Sequence, residues 1–232
     1  MKGTLMKRMI AVGLLGLLVS GLTACGSTKK EVVVPAPSPS APAVTTIVAG
    51  CKTTTAVPHM PVSVPPPSGL LTEVISSFTL TTNCGEIDFD VYQKKAPQTV
   101  TAMTVLARAG YFDGSLCHRL TTQNIYVLQC GDPTARGNGG PAWAYRDENL
   151  PSITDNNYPA GTVAMANGGP NSNGSQFFLV YADTSLGKNY SIWGKVTKGL
   201  DILKAIADAG VQGGGVDGPP AQTVSIERLS VK

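Results

Sequence analysis

Short apolar runs, broken every few residues by Gly, Pro or Asn, restrict the folds open to this chain more than any other feature. It carries 26 Gly and 17 Pro in 232 residues, and few stretches keep a helical spacing. In one, Ala96-Pro97 puts a proline in the first turn, Val100, Met103, Leu106 and Ala107 make an apolar stripe, and Gly110 ends it. In the other, over residues 199–209, Leu200, Leu203 and Ile206 turn inward and Gly210 stops the helix. Strands are expected at 77–82 and 86–92, joined at Asn83-Cys84-Gly85, where Asn and Gly tolerate the positive φ of a tight hairpin. Further strands are expected near 117–120, 126–129, 161–165, 176–180, 191–196 and 222–231. Such a pattern predicts a mainly β domain, either a closed or nearly closed antiparallel barrel with helices at its open ends or a sandwich with two covering helices. Periodicity alone does not choose between them.

The domain does not need the whole chain. Residues 1–24 carry Lys2, Lys7 and Arg8, then an apolar run of about 14 residues, then Leu22-Thr23-Ala24 before Cys25. The run is short of the roughly 20 residues that cross a bilayer, so it reads as a secretory signal peptide. A Cys directly after Leu-Thr-Ala resembles the bacterial lipobox, which implies acylation of Cys25 and a mature protein tethered to the outer face of the cell membrane. Removing Lys2, Lys7 and Arg8 from the 18 basic residues leaves 15 against 15 acidic ones. That balance implies no nucleic-acid partner. Residues 25–72, with PAPSPSAP and VPPPSG, read as a Pro/Ser/Thr-rich spacer, and residues 73–232 as the folded domain. The stretch around Ile47 to Cys51 can still dock on the domain.

Four cysteines follow Cys25, and outside the cytoplasm they can pair. Their spacing fits no zinc pattern, since Cys-x-x-Cys is absent and the histidines are His59 and His118 alone. A bridge from Cys51 to Cys84 is expected. Strand parity argues against pairing Cys117 with Cys130: Arg119 and Gln129 should share the outer face, which turns Cys117 outward and Cys130 inward.

One longer stretch and the order of the six blocks after it are more specific. KKAPQTVTAMTVLARAGYFDG at 94–114 is followed by CHRL (117–120), VLQCGD (127–132), GNGG (137–140), RDEN (146–149), MANGGPNSNGSQFF (165–178) and IWGKV (192–196). These blocks resemble the cyclophilins in sequence and order, over about residues 76–232, in a form similar to the enzymes of high-GC Gram-positive bacteria. The resemblance implies a closed eight-stranded barrel capped by two helices, and catalysed rotation about X-Pro bonds. The uncatalysed barrier is about 18–20 kcal/mol because the amide is conjugated. No covalent bond changes, so neither a metal nor a cofactor is implied, and the implied partners are proline-containing segments of unfolded or exported proteins met by a monomer.

By the same resemblance Arg119 is the catalytic arginine, permanently charged and placed to hydrogen-bond the prolyl carbonyl or nitrogen as conjugation is lost. Gln129 orients it, and Phe178 floors the proline pocket. Tyr126, Val127, Leu186 and Tyr190 match the pocket walls; Ala166, Asn167 and Gly168 match the segment that pairs with substrate backbone, with Gln176 beside it. Asn171, Asn173 and Gly174 read as turn residues. Strand alternation turns His118 away from Arg119's face, as a hydrogen-bonded core histidine. Arg119 and Gln129 are two residues further apart than in the commonest family form, so TTQN at 121–124 is expected to lengthen the turn between their strands. Ser185 stands where the family presents a drug-contacting tryptophan and Tyr190 where it presents a histidine, which puts cyclosporin affinity in doubt. A client-holding module with little turnover would use the same groove. A hydrolase built on Ser175 and His118 lacks the G-x-S-x-G context.

Overall fold

The computed structural model describes residues 48–232; the segment expected to be a signal peptide, Cys25 and the first part of the expected spacer lie outside the described residues. Two hairpin strands, β1 (Ser77–Thr82) and β2 (Gly85–Val91), lead into helix α1 (Pro97–Arg108). They are followed by β3 (Ser115–Leu116), β4 (Arg119–Gln123), β5 (Ile125–Cys130), β6 (Thr162–Asn167), β7 (Asn173–Val180) and β8 (Ile192–Lys198). Helix α2 (Leu200–Asp208), β9 (Asp217–Gly218) and β10 (Ser225–Val231) complete the domain. All pairings are antiparallel, in one sheet of order β3-β10-β1-β2-β8-β6-β7-β5-β4-β9.

The sheet has ten strands and is open, which corrects the expected closed eight-stranded barrel. Its edges explain why. Strand β3 makes only two pairs with β10 before the chain leaves the ladder at Cys117 and His118. Strand β9 emerges from a glycine-rich loop and makes two pairs with β4 before Pro219-Pro220, which has no N–H to donate. Each edge strand thus contributes only two paired residues.

The core begins at Trp193, which meets Phe78, Phe89 and Phe177 edge-on at centroid distances of 5.4, 5.3 and 6.3 Å. Helix α1 buries Val100, Met103 and Leu106 against it. Ala96 offers no side chain to cap α1. Glu148 does so from the RDEN block, accepting from the N–H groups of Gln98 and Thr99 at 3.0 and 2.9 Å and placing negative charge at the helix's positive end. The glycine before α2, Gly199, adopts φ +87 where its chain passes close to the backbone of β2.

Three local expectations change. The extra residues after Arg119 lengthen the hairpin and not its turn: Thr121, Thr122 and Gln123 pair with Val127, Tyr126 and Ile125, and Asn124 alone turns the chain at φ 63. Asn173 is no turn residue; it is a fully buried member of β7 that exchanges backbone bonds with Tyr145 and donates to Asp147 at 2.8 Å. Both disulfides form, Cys51 with Cys84 as expected and Cys117 with Cys130 against expectation. Parity holds only along an unbroken ladder, and Cys117 sits in the gap between β3 and β4. There its N–H bonds Val224 at 2.9 Å and its side chain turns into the core to meet Cys130.

From Val48 onward the segment read as spacer lies bonded along the domain. Lys52 and Asn83 exchange bonds beside the Cys51–Cys84 bridge, His59 N–H reaches Pro133, and Val64 is buried with its carbonyl accepting from Trp143 Nε1 at 2.8 Å. An extended, proline-rich strap can dock in this way because its prolines have no N–H to satisfy and its other exposed amides can be left to water, so a few anchoring bonds suffice.

Candidate active site

Strand register brings the polar residues together. Arg119 on β4 lies opposite Gln129 on β5, which lies opposite Phe178 on β7. Side chains of one parity then share a face, so Val127, Gln129 and Phe178 border one groove of about 500 Å³. Ala166, Asn167, Leu186 and Tyr190 complete its walls.

The groove has an apolar end. Phe178 is 4% exposed and meets Tyr190 edge-on at 5.6 Å, with Tyr158 beneath both at 6.0 and 6.2 Å. Tyr158 is fully buried, and its hydroxyl pins the wall loop: it accepts from the Tyr190 N–H at 3.1 Å and faces the carbonyls of Tyr190 and Gly187. Burial pushes its phenol pKa up to about 12. Ser185 serves the same loop, accepting from the Asn156 N–H at 2.9 Å.

The other end is polar. Arg119 Nη1 donates to Gln129 Oε1 at 3.3 Å, Gln129 Nε2 to Gln176 Oε1 at 2.9 Å, and Gln176 Nε2 to the Gly139 carbonyl at 2.8 Å. At the opposite end of this rail, Arg119 Nε and Nη2 each donate at 2.7 Å to the two oxygens of Asp217. That hydrogen-bonded pairing raises the arginine's pKa and lowers that of Asp217. Five guanidinium protons in a rigid fork leave part of the Nη1 and Nη2 edge available to a ligand.

Gly168 and Gln176 border an adjoining cavity of about 700 Å³, which shares Gln129, Ala166 and Asn167 with the groove. Tyr126 does not line the groove. Its parity on β5 is that of Leu128 and Cys130, and its ring packs against Tyr181 at 5.9 Å; Ile125 takes the place expected of it. Counting alternation back from Gln129 would have found Ile125. His118, expected to turn away, borders the groove, because it too stands in the gap where alternation lapses. Neither ring nitrogen has a partner in good hydrogen-bonding geometry, though the Gln176 side chain lies near enough to favour the charged ring. Burial, aided by the Arg119 charge, lowers its pKa against the opposing influence of Asp132 and Gln176. Sequence reading missed Tyr158 and Asp217. Tyr158 carried no signal beyond an aromatic beside a proline, and Asp217 was hidden in a glycine-rich loop. Among the described residues, no three His, Cys, Asp or Glu side chains converge as a metal site.

An open antiparallel half-barrel with two helices and a groove of Arg, Gln and Phe on adjacent strands defines a class, and comparison with known proteins agrees. Residues 77–231 match the family model described as cyclophilin type peptidyl-prolyl cis-trans isomerase/CLD, and the chain belongs to that family. It is 45% identical over 161 residues to the probable peptidyl-prolyl cis-trans isomerase B of Mycobacterium tuberculosis, covering 65% of this chain and 52% of that one. The Mycobacterium leprae counterpart is 44% identical over 164 residues, covering 66% and 56%. This chain thus spans about half the length of those relatives. An Arabidopsis thaliana peptidyl-prolyl cis-trans isomerase is 36% identical over 161 residues, 67% of this chain and 95% of the relative. A crystal structure of a Cryptosporidium parvum cyclophilin-type isomerase superposes with a TM-score of 0.59 at 24% identity, covering 68% of this chain and 98% of that one, which supports the fold.

Proposed function

We propose that this protein accelerates cis–trans rotation of X-Pro bonds. The carrying observation is the placement of Arg119 Nη1 on the Gln129 side chain, at the polar end of a groove floored by Phe178. A proline ring against Phe178, Val127, Leu186 and Tyr190 would put its carbonyl and nitrogen within reach of Arg119. The ladder between β6 and β7 slips between Met165 and Asn167, so Ala166 lies outside the register. That irregularity suits it, with Asn167 and Gly168, to pair with the residues preceding proline. As the amide twists, its nitrogen loses conjugation and becomes an acceptor; a fixed guanidinium stabilises that state more than either planar one. No proton moves and no bond breaks. A protease-coupled prolyl-peptide assay tests this: the wild type should shorten relaxation from tens of seconds, and Arg119→Ala should lose most of the acceleration. Absence of wild-type acceleration would favour a client-holding module.

The substrates we propose are proline-containing segments of exported or unfolded chains, since the groove is open and its recognition falls on proline and backbone. The site is complete within one chain, which suits a monomer. Two disulfides suit an oxidising compartment, and Leu22-Thr23-Ala24-Cys25 supports anchoring by lipid on Cys25 at the outer face of the membrane. Mass analysis for acylation at Cys25 tests that placement; an unmodified thiol in the mature protein would overturn it.

A further inference from the structure

Arg119 is held by a residue that the groove's recognition of proline does not require. Asp217 lies on β9, paired with Thr121 of β4, and so becomes the diagonal neighbour of Arg119 across the ladder. The loop around it is closed by bonds of its own: Gln212 N–H to the Pro219 carbonyl at 2.8 Å and Thr122 N–H to the Val216 carbonyl at 2.9 Å. Its carboxylate takes Arg119 Nε and Nη2 at 2.7 Å each.

We infer that Asp217 is a positioning residue for catalysis, fixing the plane and azimuth of the Arg119 guanidinium so that Nη1 meets Gln129 and the remaining edge faces the twisting amide. This rests on the isomerase reading above. Three considerations carry it. First, the arginine and aspartate side chains are 38% and 51% exposed, and ion pairs so exposed contribute little to stability. Two short bonds at the mouth of the groove therefore fix the arginine's orientation more than they hold the fold. Second, an arginine side chain has among the largest rotamer freedom of any residue, and Gln129 restrains it through one bond of 3.3 Å. Two short bonds on the Nε side remove the rotation that the single bond would leave. Third, the pair closes a continuous rail, Asp217–Arg119–Gln129–Gln176–Gly139, whose far end is itself held where Gly139 N–H donates to Asp132 at 2.9 Å. Hydrogen-bonded chains tied at both ends reinforce one another. The carboxylate tempers the positive field at the substrate, but catalysis by fixed donors depends first on their orientation.

The test combines kinetics with a reading of the arginine itself in the purified full chain. Asp217→Ala should lower kcat about tenfold with KM little changed, and Asp217→Glu should recover part of the loss. The Arg119→Ala/Asp217→Ala double variant should be no slower than Arg119→Ala alone, because Asp217 acts only through that arginine. In nitrogen-edited NMR spectra the Arg119 Nε–H resonance, slow to exchange with water in the wild type, should become fast in Asp217→Ala. Should Asp217→Ala fail to fold, Asp217→Asn, which keeps volume and one acceptor, replaces it in every arm. Unchanged kcat in either variant, or an equal loss when Asp217 is removed from the Arg119→Ala background, overturns the inference. A wild type that does not accelerate isomerisation overturns the isomerase reading, and the Nε–H exchange then still reports whether Asp217 immobilises Arg119.

Discussion

The two ends of the groove are held in place by opposite means. At the apolar end Phe178, Tyr190 and Tyr158 are locked by ring packing and by a buried hydroxyl that pins the loop carrying the wall. At the polar end Arg119 is held by partly exposed bonds to Gln129 and Asp217. Buried contacts contribute to stability and exposed ones hardly at all. The apolar end is thus part of the fold, whereas the polar end is carried by it, and damage at the two should be felt in different measurements.

The largest expected effect breaks the apolar end. Tyr158→Ala should cost about 3–5 kcal/mol of stability, the range for deleting a large buried ring, read as a lower denaturation midpoint. It should loosen substrate binding as well. Next comes the floor beneath the polar end: the double variant Cys117→Ser with Cys130→Ser opens a crosslink between positions 13 residues apart and should cost about 3 kcal/mol. A Tyr158→Phe change keeps the ring and removes only the pinning hydroxyl, so roughly 1 kcal/mol is expected; a larger loss would mean that the loop is held by that bond more than by packing. Arg119→Ala should shift stability by less than about 1 kcal/mol while removing most activity. If it unfolds the protein, the contrast between the two ends fails.

The smallest effect concerns His118 at the boundary. Its pKa is lowered in the folded state, chiefly by burial, so as pH falls the unfolded chain takes up the proton first. Its contribution is complete above the ordinary histidine pKa and drains as pH falls from there through the folded value. The melting temperature should decline as pH falls below about 6.5, the ordinary histidine value, and His118→Gln should flatten that decline.

Much of this division was legible in residue order. Strand β1 appears where alternation puts it, both helices follow their stripes and glycine stops, and Arg119, Gln129 and Phe178 converge because each lies on a regular strand where parity holds. Errors gathered where a ladder breaks. Cys117 and His118 lie between two strands, so alternation assigned both to the wrong side. Block similarity points to Tyr126 against its own parity, whereas alternation from Gln129 points to Ile125. Closure of the barrel failed for the same reason, since β3 and β9 are each two residues long and no pattern of period two can be read in so few. Asp217 was invisible because its importance comes from a pairing with β4 across the chain, in a segment whose composition says only loop.

The central claim is that the apolar end binds proline and the polar end turns it over. Exchange NMR of a short Ala-Pro peptide with the wild type and with Arg119→Ala reads both at once, through the peptide's shift on titration and its cis–trans exchange rate. The account predicts that Arg119→Ala still binds the peptide with an affinity near that of the wild type, while exchange falls back towards the uncatalysed time of tens to hundreds of seconds. Wild-type exchange rates in Arg119→Ala, or binding lost together with turnover, would contradict it.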